Sequence, residues 1–207
     1  MTTPANPEFS GFKGRFFAWF LTSPMRRLLE FKMGKPEERI AQLLALTGDE
    51  AVLDFGCGSG FHSLLMAEAL PNGRVIAVDV SPEMLSQLAK NAKRRGVSDR
   101  IEPLLADGLD LPLPDAAVDR ALSAAAWHHL DDLDQAAREL FRTLRPGGRL
   151  VVSDLLIRPS TKAVAGLDGH DRAFEPDDLR RILEQTGFTE IHVETLGRWV
   201  LGAGTRP

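Results

Sequence analysis

From residue 51 onward, short apolar runs alternate with stretches of helical period. The runs Ala51 to Phe55, Arg74 to Asp79, Ile101 to Ala106, Val118 to Ser123, Arg149 to Ser153, Thr189 to Thr195 and Trp199 to Gly202 read as strands. Strands that alternate with helices are the signature of a parallel sheet covered on both faces. Helices are therefore expected between them. One starts at Phe61, with Leu64, Leu65, Ala67 and Leu70 as its buried face. Ser81-Pro82-Glu83 opens another with an N-cap, a proline at the first helical position and an early acid. Leu133 to Leu144 is a third, stopped by the breaker Arg145-Pro146-Gly147-Gly148, and Asp177 to Thr186 is the last, closed by Gly187.

The first strand runs straight into Asp54-Phe55-Gly56-Cys57-Gly58-Ser59-Gly60. An apolar strand that ends in an acid and a glycine-rich turn lets the backbone approach a ligand closely before the helix begins. A dinucleotide turn, G-x-G-x-x-G, needs a small residue at position 61, and Phe61 fills that place. The spacing Asp54-x-Gly56-x-Gly58-x-Gly60 instead resembles motif I of the class I S-adenosylmethionine-dependent methyltransferases. That resemblance extends over roughly residues 36 to 202. The segment Leu144 to Leu150, followed by Phe174 to Phe188, is similar to the type 11 small-molecule group that includes ubiquinone and menaquinone C-methyltransferases.

The resemblance implies an α/β fold: a Rossmann-like three-layer sandwich whose seven-stranded sheet is mostly parallel with an antiparallel last strand, turned at Gly197-Arg198. It also implies S-adenosylmethionine as cofactor and S-adenosylhomocysteine as product. Asp54, Gly56, Cys57, Gly58 and Gly60 then lie around the methionine part. Asp79, at the end of the second strand and about 20 residues beyond the glycine turn, has the position of a ribose-binding acid. Val80 and Met84 follow it, either on the adenine face or in the core. Asp107-Gly108 resembles the adenine-recognising turn, with an ordinary Asp-Gly turn as the plain reading. Ser123 and Ala124 fall at motif IV, beside the cofactor's methionine end. Together the acids make the pocket negative, which suits a sulfonium.

After motif IV come His128 and His129, placed for proton removal from an incoming acceptor, work that histidine does near neutrality. The alternative reading is that they are packing or hydrogen-bonding residues. His62 and His170 are further candidates to touch substrate. No metal is expected, because neighbouring histidines in a strand-to-loop segment point different ways and no helical ligand spacing occurs. Cys57, the sole cysteine, reads as a small turn residue without a thiolate partner. No N/D-P-P-Y/F tetrad and no phosphate-cradling G-x-x-x-x-G-K-[ST] occurs either.

Composition narrows the setting. At 207 residues and 43% apolar, the chain suits one core. A net charge of −4 argues against a protein that coats nucleic acid. One cysteine, no secretory signal and no bilayer-length apolar run fit the cytoplasm. The expected organisation is one domain, with 1–46 as a helical cap or lid, 47–207 as the core, and 155–174 as a substrate-side loop. The N-terminal segment carries Phe9, Phe12, Phe16, Phe17, Trp19, Phe20 and Phe31 interleaved with Lys13, Arg15, Arg26, Arg27, Lys32 and Lys35. Three uses compete for it: packing that closes the pocket, a lid for an apolar substrate, and peripheral contact with an anionic membrane surface or nucleic acid.

The expected activity is in-line methyl transfer to a small, apolar or amphipathic molecule. The rival readings are a non-catalytic S-adenosylmethionine-binding protein or partner subunit, and a nicotinamide-dependent oxidoreductase. The acceptor and the oligomeric state stay open.

Overall fold

The computed structural model describes residues 36–156 and 175–207. The aromatic and basic residues up to Lys35, His170, and nearly all of the 155–174 loop lie outside the described residues. The strands are β1 (Ala51–Phe55), β2 (Arg74–Asp79), β3 (Ile101–Leu105), β4 (Val118–Ala124), β5 (Leu144–Leu155), β6 (Thr189–Leu196) and β7 (Trp199–Thr205). The helices are α1 (Glu37–Leu44), α2 (Phe61–Ala69), α3 (Pro82–Arg95), α4 (Leu133–Thr143) and α5 (Pro176–Thr186).

The seven strands form one sheet in the order β3-β2-β1-β4-β5-β7-β6. β1 pairs in parallel with β2 and β4, β4 with β5, and only β7 runs against its neighbours. This is the Rossmann-like α/β sandwich that the sequence predicts. Chain order reverses between β1 and β4, so the carboxyl ends of these two strands flank a crevice where ligands of such sheets bind.

Alternation along each strand builds the two faces. Val52, Val75, Ala77, Leu122, Val151 and Ala203 meet Leu43 and Leu44 of α1, Leu64 and Ala67 of α2, and Leu88 and Ala92 of α3. Leu53, Phe55, Ala121, Leu150 and Val152 meet Ala137 and Leu140 of α4 and Leu179, Ile182 and Leu183 of α5. Central strands buried on both faces read as near-continuous apolar runs, which is why β1 has no exposed position. The described part of the N-terminal segment, α1, is thus a third helix in one covering layer, with Ile40, Leu43 and Leu44 buried.

Some boundaries depart from expectation for identifiable reasons. Leu65 points outward, 37% exposed, and Met66 takes its place in the core, because the buried face of α2 follows positions 64, 67 and 70 with 63 and 66 beside them. α4 stops at Thr143, and Leu144 already pairs with Val118. Residues 145–148 continue as irregular strand with a register shift opposite β4, and Gly147 and Gly148 exchange backbone hydrogen bonds with Arg206. That pairing also carries β7 beyond Gly202 to Thr205.

Candidate functional site

β1 leaves the sheet through its glycine turn. The amides of Gly56 and Cys57 both donate to the carbonyl of Val78, each at 2.9 Å, laying the turn across the end of β2. The Gly58 amide donates to one oxygen of Asp79 at 2.8 Å, and the Ser81 amide donates to the other at 2.9 Å. From α3, the Asn91 side-chain amide donates to the Ser59 carbonyl at 2.9 Å. Gly56 and Gly60 hold φ of +71° and +89°. A Cβ at Gly56 would lie 2.5 Å from Cβ of Ala126, and one at Gly60 would lie 2.0 Å from Cδ1 of Leu88. Bare backbone is therefore required at both positions.

Asp54 is 2% exposed and accepts a hydrogen bond from the Ser63 hydroxyl at the start of α2. Burial pushes its carboxyl from the ordinary 3.8 up to about 7, with the Ser63 hydroxyl opposing and the negative charge of Asp79 adding to the rise. Asp79 is raised too, again by burial, against the pull of the Ser81 and Gly58 amides. Among the described residues, neither acid has a cationic side chain paired with it. Cys57 is buried beside them, and burial pushes its thiol up so that it stays protonated.

The remaining candidates line the same end of the sheet. Asp107 accepts from the Leu109 amide at 3.0 Å, and Gly108 sits against Phe55, whose ring a Cβ there would approach to 2.2 Å. Val80, at 37% exposure, and Leu105, at 57%, leave apolar surface open at the ends of β2 and β3. Met84 is buried, and its amide is capped by the Ser81 hydroxyl at 3.2 Å. The Ser123 hydroxyl is committed to the Phe55 carbonyl at 3.1 Å, so Ser123 offers a ligand its backbone only. Ala124 is half-buried beside it.

Beyond β4, Trp127–His129 forms a single 3-10 turn. It brings His128 against Asp154, near the end of β5. His128 Nδ1 lies 2.6 Å from one Asp154 oxygen, and the His128 amide donates to the other at 3.2 Å. Both side chains are nearly inaccessible, 5% and 0% exposed. A carboxylate can only accept, so Nδ1 carries the proton and the basic lone pair of a neutral ring is assigned to Nε2. His129 is exposed, its ring 3.8 Å from that of His128. His62 is half-buried and meets Phe61 edge-on at 5.0 Å. No group of His, Cys, Asp or Glu that could hold a metal ion occurs among the described residues.

Sequence reasoning missed Ser63, Asn91 and Asp154. The first two leave no recognisable trace. Asp154 does, because Val151-Val152-Ser153-Asp154 repeats the pattern of an apolar strand ending in an acid that singled out Asp54, Asp79 and Asp107.

Comparison with known proteins agrees with this geometry. Residues 53–152 match the family model described as Methyltransferase domain. The chain is 38% identical over 144 residues to demethylmenaquinone methyltransferase of Thermus thermophilus, covering 69% of this chain and 64% of that protein. It is 35% identical over 131 residues to 27-O-demethylrifamycin SV methyltransferase of Amycolatopsis mediterranei, covering 63% and 47%. The chain thus spans about half to two thirds of the length of these relatives. Its fold is that of a SAM-dependent methyltransferase from Aquifex aeolicus, with a TM-score of 0.76 at 22% identity over 93% of this chain and 98% of that one.

Proposed function

We propose that this chain, whose residues 53–152 match the family model described as Methyltransferase domain, is a class I S-adenosylmethionine-dependent methyltransferase of the small-molecule group and transfers a methyl group to a small, apolar or amphipathic acceptor. The observation that carries the reading is a buried carboxyl, Asp54, and a half-buried one, Asp79, held by the amides of Gly58 and Ser81, beside a glycine turn stripped of Cβ atoms. Asp54 lies behind the turn, resists ionisation and has no cationic partner among the described residues, so the turn suits a positively charged ligand group. A sulfonium that also carries an ammonium group fits that demand, whereas a dinucleotide with its anionic pyrophosphate does not.

When bound, S-adenosylmethionine supplies an electrophilic methyl carbon on a sulfur that leaves as a neutral thioether. The chain's own residues hold and orient. Asp79, fixed by the Gly58 and Ser81 amides, accepts from the ribose hydroxyls. The turn Gly56 to Gly60, with Asp54 behind it, receives the amino-acid end. Asp107 and Gly108, with Val80 and Leu105, receive the adenine. Alignment of this kind is worth on the order of 7–11 kcal/mol when the reacting atoms are held in line.

His128 takes the acceptor's proton at Nε2. Asp154 keeps the ring in that tautomer and stabilises the imidazolium that results. The His129 ring lies against it at a tilt of 45° and helps to fix it. The same reading assigns the part of segment 1–46 that precedes α1, together with loop 155–174, to the acceptor side, and a cytoplasmic setting to the protein. Among the described residues, no helix is long and apolar enough to cross a membrane.

The test is calorimetric titration with S-adenosylmethionine and S-adenosylhomocysteine on the wild type and Asp79→Ala, followed by an acceptor screen for S-adenosylhomocysteine release. Binding that weakens at least tenfold in the variant, with release that depends on an acceptor, is the expected result. Binding without release by any acceptor, in the presence of folded protein, would favour the cofactor-binding partner instead. Failure of ligand-free wild-type protein to bind either molecule overturns the proposal.

A further inference from the structure

The end of the sheet opposite to the crevice holds a second feature. A cavity of about 420 Å³ opens where β4 and β5 begin and β7 ends, walled on one side by the last turn of α1. Its floor is a pair of arginines. Arg120 and Arg149 are direct register partners on neighbouring strands, and Thr205 is the partner of Arg149 on the other side. Both arginines fall on the face that α1 covers, where the apolar row Leu122, Val151 and Ala203 ends.

Like charges set directly opposite on paired strands destabilise a sheet unless something neutralises them. Three arginines nearby have a carboxylate: Arg142 has Glu139 and Asp115, Arg145 has Asp119, and Arg39 has Glu194. Among the described residues, Arg120 and Arg149 have none. Arg120 spends Nε on the Leu44 carbonyl at 3.0 Å and one terminal nitrogen on the Asp119 carbonyl at 2.9 Å. Arg149 makes one long bond, 3.4 Å, to the Thr205 hydroxyl, and its Nε is buried with no partner among the described residues. A guanidinium has five N–H donors, so most of the ten in this pair are unspent. Glu190, on the exposed rim, takes the Thr205 hydroxyl at 2.9 Å and makes no ion pair with either guanidinium.

We infer that the Arg120–Arg149 cavity binds the phosphate group of a small organic molecule. Two guanidinium forks side by side match the several oxygens and double charge of a phosphate monoester. The volume lies within the range of small-molecule pockets, so a bare anion leaves room for an organic body against Gln42 and Leu43. Five strand positions, about 16 Å, separate Arg149 from Asp154. The site is therefore distinct from the crevice, and nothing in it depends on methyl transfer.

The experiment is titration of the full chain with inorganic phosphate, glycerol 3-phosphate, citrate and glycerol, in chloride at matched ionic strength. It is read by calorimetry and by the arginine Nε–H signals in proton–nitrogen correlation spectra. Glycerol 3-phosphate is expected to shift the Arg149 signal saturably, to bind more tightly than inorganic phosphate, and to bind equally with S-adenosylhomocysteine present. Arg149→Gln is expected to weaken it at least tenfold. Arg149→Lys, which keeps the charge and loses the fork, is expected to weaken it less, and it tests the site without uncapping α1. Unsaturable shifts, equal binding by Arg149→Gln, competition by S-adenosylhomocysteine, or citrate binding without phosphate binding would each overturn the assignment.

Discussion

Replacing Asp54 with Asn should stabilise the ligand-free protein, and by an amount that depends on pH. The side chain is fully enclosed, accepts from the Ser63 hydroxyl and lies near Asp79, and its carboxyl titrates at about 7 instead of 3.8. A raised acid holds its proton longer in the folded state than in the unfolded one. Its contribution is fully present below about pH 3.8 and is lost as pH rises through about 7. At about 1.36 kcal/mol per pH unit, keeping or losing that proton inside the fold costs roughly 1–2 kcal/mol at pH 5, where Asp54 is still protonated, and roughly 4 kcal/mol at pH 8, where it is forced to ionise. Asn keeps the shape and an acceptor for Ser63 and carries no charge. The advantage of Asp54→Asn should therefore grow by about 2–3 kcal/mol between pH 5 and pH 8, or about 4–12 °C in Tm for a domain of this size. Urea unfolding of both proteins at the two pH values, without ligand, measures it. An advantage that is the same at pH 5 and pH 8 would show that Asp54 is not a buried acid forced to ionise. S-adenosylmethionine should reverse the trend, since a cation at the site lowers the carboxyl's affinity for its proton. Wild-type binding near pH 6.5 then releases a proton, visible as an enthalpy that varies with the buffer's ionisation heat, and binding by Asp54→Asn does not.

Three further outcomes are expected. Gly60→Ala combines a positive φ with a Cβ 2.0 Å from fully buried Leu88; about 1–2 kcal/mol of backbone strain plus about 1–3 kcal/mol of overpacking should lower Tm by several degrees, and an unchanged Tm in a melting experiment would refute it. Glu50 accepts from the Thr47 amide and hydroxyl and the Gly48 amide, and its carboxyl is held at about 2. Its stabilisation is present above pH 4.5 and lost as pH falls through about 2, so Glu50→Gln should cost about 1–3 kcal/mol at pH 7 and converge on the wild type at strongly acid pH. With an acceptor that must lose a proton, His128→Ala should lower kcat by about 10²–10⁴-fold and Asp154→Asn by less, with S-adenosylmethionine affinity unchanged in both; equal loss of cofactor binding would make the pair structural instead.

The parts of the fold that were legible in the sequence are those set by short-range rules. Ser81-Pro82 capping α3 and Gly187 closing α5 follow from local backbone chemistry, and β1 from its continuous apolar run. The misreadings arise where a distant partner decides. Leu144 looks like the end of a helix and becomes strand because Val118 is opposite it. Pro146-Gly147-Gly148 looks like a stop and is held in the irregular strand because the backbone of Arg206 returns alongside. Leu65 looks buried by its hydrophobicity, and only the angle at which α2 sits on the sheet turns it outward.

The site divides in the same way. Asp54 and Asp79 could be found one at a time, since each ends its own strand, but their mutual repulsion exists only because β1 and β2 are neighbours. His128 and Asp154 are 26 residues apart and carry no spacing that links them; parallel pairing of β4 with β5 makes them a unit. Arg120 and Arg149 are the third instance, two ordinary charges in the sequence that the same strand pairing turns into adjacent, unneutralised cations. A sequence names candidate groups, and the sheet decides which of them share a field. The pairs that look costly when unliganded, two acids at one end and two arginines at the other, are where a ligand of opposite charge has the most to contribute.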